Sequence, residues 1–226
     1  MNFNNFYFNR DIISERLISF NSQSRIRYND ENFTNSAILF LLMAHKNKPY
    51  DLVLMRRTIR DGDKHAGEIC FPGGVFDKRR DKTLMDTAIR ETYEELGIPK
   101  NQISLLGTLN DHITPKFFII TPFVGYIQPD QKMVKEELEV DEIICIPISF
   151  FTNKKNYQER SYKLWGDNIA VGKYVYNESE SKKYTIFGAT SHIIVHYIDI
   201  VYNITLKAPG HRRICCEDLK RKFKIS

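Results

Sequence analysis

The stretch that decides the fold is residues 65–98, which read HAGEICFPGGVFDKRRDKTLMDTAIRETYEELGI. Its pattern predicts a short strand, a glycine turn, a charged loop and then a helix. Thr83, followed three residues later by Asp86, matches a capping box and marks the start of the helix. Gly97 stands where helices commonly end on a residue in the left-handed conformation. The stretch therefore predicts a central helix between Thr83 and Gly97.

Three carboxylates share one side of this predicted helix. Glu91, Glu94 and Glu95 are spaced so that their side chains point roughly the same way. Like charges this close repel each other unless a cation or an arginine compensates. Hard divalent cations such as Mg²⁺ take oxygen ligands and accompany phosphate substrates. The pattern thus indicates a carboxylate site for a divalent metal, with ordinary solvated helix glutamates as the alternative.

Arg90 lies between the carboxylates and the start of the helix. It stands four residues before Glu94 and four after Asp86, the spacing of helical ion pairs. We therefore interpret Arg90 as a residue that orients the carboxylates rather than one that clamps a substrate. The apolar residues predict the buried side of the helix, which leaves Glu91 and Glu95 at the opposite edge. Those apolar residues are Leu84, Met85, Ala88, Ile89 and Leu96.

Residues 90–98, RETYEELGI, resemble the second half of the Nudix box, REUxEExGU. The upstream residues HAGEICFPGG resemble the branch of Nudix enzymes that hydrolyses coenzyme A. Residues 121–125 (TPFVG), 139–147 (EVDEIICIP) and 184–190 (YTIFGAT) resemble later segments of that branch. The resemblance spans roughly residues 37–200. The box is specific for the superfamily, and the flanking segments are moderately specific for the branch.

The element pattern and this resemblance together imply an α/β fold. The family fold is an α/β/α sandwich with a mixed β-sheet. We expect a Nudix domain over residues 37–206, with an N-terminal extension carrying a short helix over 1–36. A basic tail follows over 207–226 and is expected to form a short solvated helix.

The resemblance also implies a set of metal ligands. Glu91 and Glu95 are expected to bind Mg²⁺ or Mn²⁺, with Glu94 contributing directly or through water. The Gly74 carbonyl is a further candidate ligand, because two adjacent glycines let the backbone approach a ligand closely. Together with Arg90, the three glutamates form the candidate catalytic residues. The general base stays open between these glutamates and a downstream carboxylate.

Other candidate residues surround this set. Glu139 and Glu142 are the downstream carboxylates, with surface solvation as the favoured alternative. The candidate substrate-binding residues are Arg56, Arg57, Arg60 and Gly73, since an arginine fork meets phosphate oxygens in pairs. An ordinary basic loop is equally compatible with the arginines. His65 is interpreted as structural rather than catalytic.

The implied reaction is hydrolysis of the diphosphate of coenzyme A to 4′-phosphopantetheine and adenosine 3′,5′-bisphosphate. The chain departs from the pattern at Lys82, where the box has a glutamate, and at Asp63, where the branch has a basic residue. The charged loop before the predicted helix contains two aspartates near Lys82, Asp77 and Asp81. Because of these departures, another nucleoside diphosphate, such as ADP-ribose or NADH, stays open as the substrate. A Nudix-fold binding module without turnover is the alternative from a different class.

The remaining chain predicts further strands, a hairpin and a late helix. Strands are expected over 103–109 and 117–127, with a loop between them. Residues 152–183 predict a hairpin or long loop, whose aromatic residues either stack an adenine or fill a minor core. Those aromatic residues are Tyr162, Trp165, Tyr174 and Tyr176. Residues 188–206 predict a helix capped by Thr190 or Ser191.

Composition sets the broad class. A chain of 226 residues with 42% hydrophobic residues suits one domain with a sizeable core. The formal net charge of +5 suits a small anionic substrate and lacks the concentrated basic groove of a nucleic-acid-binding protein. The sequence leaves open whether the protein is a homodimer.

The four cysteines show no zinc-ligand spacing. We expect a cytoplasmic or other reducing intracellular location, because neither a signal peptide nor a membrane-spanning run is visible. The ending Lys224-Ile225-Ser226 does not match the Ser-Lys-Leu peroxisomal address.

Overall fold

A computed structural model of the protein describes residues 6–59 and 66–224. Runs of strands are separated by single helices along these residues. The helices are α1 (Arg10–Arg16), α2 (Leu84–Leu96), α3 (Ile148–Thr152), α4 (Gly188–Tyr202) and α5 (Cys216–Phe223). The first strands are β1 (Thr34–Met43), β2 (Asp51–Arg57), β3 (Ile69–Cys70), β4 (Gly73–Val75), β5 (Ser104–Thr108) and β6 (His112–Thr114). The later strands are β7 (Phe118–Ile127), β8 (Val140–Pro147), β9 (Tyr157–Leu164), β10 (Asp167–Asn177), β11 (Lys183–Phe187) and β12 (His211–Arg212).

Strand β1 is the centre of the larger sheet. It pairs antiparallel with β2 and β4, and parallel with β7 over its whole length, from Thr34 opposite Phe118 to Met43 opposite Ile127. The strand order is β3-β2-β1-β7-β5, with β8 on β2 and β6 on β7. Parallel and antiparallel pairs therefore occur in one sheet, as the α/β prediction requires.

Alternation along β1 divides the core into two layers. Leu39 and Leu41 point to the face that packs on α2, whereas Phe40 and Leu42 point to the face that packs on α4. All four side chains are fully buried, because both faces of the strand are covered. Helix α2 on one face and α4 on the other make the α/β/α sandwich.

The polar stretch after α3 forms a second sheet. Strands β9 and β10 form an antiparallel hairpin, and β12 and β11 pair with two successive stretches of the other edge of β10. This confirms the predicted hairpin. Tyr174 is fully buried in the core, so of the two alternatives for its ring the structure supports core filling and not adenine stacking. Trp165 is 45% exposed and lies under the Arg221 guanidinium at 4.0 Å.

Three expectations about local structure change. Residues 73–75 form a strand on β1 rather than a turn, and the expected loop over 110–116 contains β6. Helix α4 begins directly at Gly188, without a side-chain cap. The Ser191 hydroxyl donates instead to the Gly188 and Gly172 carbonyls. The capping prediction for Thr190 or Ser191 is therefore wrong.

The C-terminal segment is packed rather than simply solvated. Cys216 and Leu219 of α5 are buried in a small cluster with Phe33 and Ile113. Arg212 forms ion pairs with Asp167 and Asp218, and Lys220 with Asp30. The basic tail is thus partly neutralised within the chain. Across residues 6–59 and 66–224, none of the helices combines the length and apolar character needed to cross a bilayer.

Candidate active site

Helix α2 begins and ends where its sequence predicts. The Thr83 hydroxyl accepts a hydrogen bond from the Asp86 amide at 3.2 Å, and the Asp86 carboxylate accepts from the Thr83 amide at 3.0 Å. The helix ends at Gly97, which is left-handed with φ 66° and donates its amide to the Tyr93 carbonyl. These caps fix both ends of the helix. Its last two turns carry the three glutamates.

Glu95 lies on the buried side of α2. Its side chain sits beneath β4, where Oε2 accepts a hydrogen bond from the Gly73 amide at 2.9 Å, and the residue is only 2% exposed. The expectation that Glu95 lies at the edge opposite the buried face is therefore wrong. The apolar pattern could not show this, because the partner of Glu95 is a backbone amide 22 residues earlier.

The two glycines of β4 permit two different close approaches, Gly73 to β1 and Gly74 to the Glu91 carboxylate. Gly73 has φ 151°, and a Cβ there would lie 2.4 Å from the Ala37 carbonyl oxygen. A Cβ on Gly74 would lie 2.5 Å from Cδ of Glu91. The absence of a side chain at Gly74 therefore lets the Glu91 carboxylate lie directly against this strand, and its absence at Gly73 lets the strand pack on β1.

Both carboxyls hold their protons more tightly than a free glutamate does. Burial is the largest cause that raises the pKa of Glu95 to about 8; the charges of Glu91 and Glu139 act in the same direction, and the Gly73 amide and Arg57 act against it. Burial also raises the pKa of Glu91, against the lowering effect of Arg90. Buried carboxylates of this kind are stabilised by a bound cation.

Arg90 braces the carboxylates from the outer side of the helix. Its guanidinium contacts Asp81 through two nitrogens at 2.7 and 2.8 Å, Glu91 at 2.6 Å and Glu94 at 2.9 Å. Glu94 also pairs with Arg80. The predicted Arg90–Glu94 pair is confirmed. The predicted Asp86–Arg90 pair is wrong, because the Asp86 carboxylate is used in the capping box.

Asp81 supplies the carboxylate that the box pattern expects one residue later, at Lys82. It is 5% exposed, and it also accepts hydrogen bonds from the Thr87 hydroxyl and the Asp77 amide. Hydrogen bonding from Arg90 holds the pKa of Asp81 far below its usual value. Asp81, one residue before Lys82, is thus a buried carboxylate partner of Arg90.

The loop before β8 approaches the glutamates. The Glu136 amide donates to the Glu95 carbonyl at 3.0 Å, and Oε2 of Glu136 is buried with no hydrogen-bond partner among the described residues. No local sequence pattern predicts a role for Glu136, because its position depends on this backbone contact. Glu142 is held away from the glutamates by Lys182, Arg56 and Tyr184.

The candidate substrate-binding arginines have different surroundings. Arg56 pairs with Asp141 at 2.6 Å and lines an open cavity of about 460 Å³, together with Lys183 and Phe187. Arg57 follows it on β2, and its charge reaches Glu95, where it lowers the pKa of that carboxyl. Arg60 and His65 lie outside the described residues, so their expected roles stay predictions.

The residues fit a divalent cation. The donors are hard carboxylate oxygens, which Mg²⁺ and Mn²⁺ prefer. In the part of the chain that the structure describes, no three acidic, His or Cys side chains converge on one point as a ready ligand set. One oxygen of Glu91 is held by Arg90, and one of Glu95 by Gly73. A cation would therefore use the remaining oxygens of these two carboxylates.

Comparison with known proteins agrees with this geometry. The family model for the NUDIX domain matches residues 33–158. The uncharacterized Nudix hydrolase NudL of Photorhabdus laumondii is 30% identical over 164 residues, covering 73% of this chain and 83% of that protein. The peroxisomal coenzyme A diphosphatase NUDT7 of Mus musculus is 27% identical over 173 residues, covering 75% of this chain and 71% of that protein.

A solved structure shares the fold. The MutT/nudix family protein from Enterococcus faecalis superimposes with a TM-score of 0.51 and 14% identity, over 79% of this chain and 66% of that one. The family model covers more than half of the chain, and it contains the glycine strand, helix α2 and the three glutamates. The chain therefore belongs to the Nudix hydrolase family.

Proposed function

We propose that this Nudix hydrolase cleaves the diphosphate of coenzyme A or one of its derivatives. The observation that carries the proposal is the placement of Glu91 and Glu95 against the backbone of Gly73 and Gly74. A buried and a half-buried carboxylate, both with raised pKa values and both beside two glycines, form a site for a cation and the phosphates it binds.

Glu91 and Glu95 would hold Mg²⁺ or Mn²⁺, with Glu94 and the Gly74 carbonyl as further ligands. When bound, the cation neutralises diphosphate oxygens and lowers the pKa of a coordinated water. Arg90 keeps Glu91 and Glu94 oriented, and the Gly73 amide fixes Glu95. Glu139, whose charge reaches both buried glutamates, is a candidate to accept the proton of the attacking water.

Two observations support coenzyme A as the substrate. A relative similar to most of this chain carries the name coenzyme A diphosphatase. The open cavity beside Arg56 also combines two cationic side chains, Arg56 and Lys183, with Phe187, which is 46% exposed. Cationic groups suit the phosphates of the adenosine portion, and an exposed ring offers a stacking surface for the base. The expected products are 4′-phosphopantetheine and adenosine 3′,5′-bisphosphate.

The test is turnover of a substrate panel with Mg²⁺ or Mn²⁺: coenzyme A, acetyl-coenzyme A, ADP-ribose, NADH and capped RNA. Wild type is compared with Glu95→Gln and with the control Glu137→Gln. Glu137 is an acidic residue of the loop before β8 whose side chain is 76% exposed. We expect coenzyme A to be cleaved fastest, and activity to fall at least about 100-fold in Glu95→Gln only.

Each other outcome has a defined meaning. A preference for ADP-ribose or NADH, lost in Glu95→Gln, keeps the catalytic site and rejects coenzyme A. Cleavage that survives in Glu95→Gln rejects the assigned site. Binding of the panel without turnover by wild type favours a nucleotide-binding module and rejects the enzyme proposal.

A further inference from the structure

A second cavity of about 330 Å³ lies on the α4 face of the larger sheet. Its wall is formed by α4, by β6 with the residues before it, and by the segment that follows α4. The volume falls in the range of small-molecule sites. Its lining combines aliphatic side chains with polar and charged ones, so that it offers both an apolar surface and hydrogen-bonding groups.

Three histidines line this cavity. His192 and His196 are four residues apart on α4 and so share one face of the helix, and His112 comes from β6. The rings of His112 and His192 meet edge to face, with centroids 5.4 Å apart. Nε2 of His196 is buried, and no described residue gives it a hydrogen-bond partner. An orphaned polar atom at a cavity is a position where a ligand atom can bind.

The tautomer of His192 determines what it can bind. Its Nε2 accepts a hydrogen bond from the Gly172 amide at 3.0 Å, so the proton of the neutral ring is on Nδ1. His192 can therefore donate a hydrogen bond but has no free lone pair for a metal. Burial lowers the pKa of His192 to about 2 and that of His112 to about 4, so both rings are neutral at pH 7.

Two cationic side chains line the cavity, which suits an anionic ligand. Arg213 lines it together with His112 and His192, and its charge contributes to the lowered pKa of both rings. Arg213 is held in place by Glu159 at 2.8 Å and by the Tyr157 hydroxyl at 2.9 Å. Lys207 lies at the rim. Of the two acids at the cavity, Asp111 is already paired with Arg25, and Asp199 lies nearer His196.

The cavity is distinct from the candidate active site. The glutamates belong to α2, which packs on the opposite face of the sheet, and none of the residues lining the cavity belongs to α2 or β4. A ligand here would be bound by residues that play no part in the proposed hydrolysis.

We propose that this cavity binds a small organic anion, whose carboxylate or phosphate lies against His112, His192 and the Arg213 guanidinium. His196 supplies a further hydrogen bond through Nε2. The apolar part of the ligand packs on the aliphatic lining: Ile113, Ile193 and Leu206. A metal ion does not fit, because His192 has no available lone pair and Arg213 repels a cation.

The test uses metal-free protein and two probes, butyrate and inorganic phosphate, which separate a carboxylate from a phosphate ligand. Binding is followed by NMR through the ring resonances of His112, His192 and His196. The key variant is His192→Gln, because the glutamine oxygen can still accept the Gly172 amide while the Nδ1 donor is lost. The matched control is His45→Gln, a histidine in the turn after β1 that pairs with Asp51.

We expect at least one probe to shift all three ring resonances, and the affinity to fall about tenfold in His192→Gln only. Leu206→Trp, which fills the apolar end, is expected to block butyrate while the melting temperature is retained. The proposal is rejected if neither probe shifts these resonances, or if both histidine variants weaken binding equally. Tighter binding of Zn²⁺ to the three histidines would also reject it.

Competition with coenzyme A tests whether the cavity is separate from the substrate site. If excess coenzyme A displaces the probe from metal-free protein, the cavity belongs to the substrate site and the proposal of a second ligand fails. None of these measurements involves turnover, so failure of the proposed hydrolysis would leave their outcome unchanged.

Discussion

The Arg90 guanidinium and the Asp81 carboxylate form a two-point ion pair, with Nε–Oδ1 at 2.7 Å and Nη2–Oδ2 at 2.8 Å. The Asp81 side chain is 1% exposed and that of Arg90 is 15% exposed. The same guanidinium contacts Glu91 and Glu94. Asp81 thus positions an arginine that in turn positions two candidate metal ligands.

Replacing Asp81 with Asn should weaken both stability and activity, because it leaves Arg90 without its buried counter-charge. We expect a loss of about 3 kcal/mol in the free energy of unfolding, measured by urea denaturation at pH 7. Asp77→Asn is the control, since Asp77 pairs with the 85% exposed Arg79 side chain. Equal losses in the two variants would contradict a special role for Asp81.

The same pair predicts a pH dependence. The pKa of Asp81 is lowered in the folded state, so the pair stabilises the protein fully above about pH 4, the value of an unfolded aspartate. Its contribution is lost as the pH falls below that value. The stability difference between wild type and Asp81→Asn should therefore shrink between about pH 4 and pH 2. A difference independent of pH would reject this account.

Gly74→Ala should impair activity more than folding. The new Cβ would lie 2.5 Å from Cδ of Glu91, so the carboxylate must move away from the strand. We expect kcat/KM to fall about 100-fold, while the urea midpoint changes little. Gly125→Ala, on β7, is the control because its nearest contact would be longer, at 3.2 Å. Full activity in Gly74→Ala would show that Glu91 need not lie against this strand.

The sequence predicts α2 well because the determinants of the helix are local. Thr83, Asp86 and Gly97 lie within or beside the helix and set its ends directly. The β1–β2 hairpin is predictable for the same reason, since two apolar runs are joined by a short turn. The parallel pairing of β1 with β7 joins segments about 80 residues apart and has no local signal.

The site residues also divide into those that local sequence predicts and those that depend on contacts with distant segments. The spacing of Glu91, Glu94 and Glu95 places them on one helix, but burial of Glu95 depends on the Gly73 amide from another element. The histidine cavity combines α4 and β6, whose contact no periodicity predicts. Arg56 and Arg57 are adjacent in sequence, and only the strand geometry shows that their partners differ.

Mg²⁺ should stabilise the folded protein even when no substrate is present. A cation that binds only the folded state raises the free energy of unfolding by about 2.7 kcal/mol at 100 times its dissociation constant. We expect the melting temperature to rise with Mg²⁺ in wild type and in Glu137→Gln. The rise should disappear in Glu91→Gln and Glu95→Gln. An undiminished rise in these two variants would place the cation elsewhere.

Glu159 should control the attachment of the C-terminal segment to the second sheet. Its side chain is 6% exposed and accepts hydrogen bonds from the Ala208 amide, His211 and Arg213. Glu159→Gln keeps the shape but removes the charge that Arg213 faces, so breaking this buried pair should cost about 3 kcal/mol. Amide exchange over residues 207–224 should then accelerate more than exchange in α2.

Glu178→Gln is the control for this experiment, because its ion pair with Lys182 lies between side chains that are 42% and 46% exposed. A surface pair of this kind contributes at most about 1 kcal/mol. The control should therefore leave exchange over 207–224 unchanged. If Glu159→Gln accelerates exchange equally in every helix, the residue supports the whole fold rather than this attachment. Faster exchange confined to 207–224 would show that the segment carrying Arg213 can open while the sandwich stays folded.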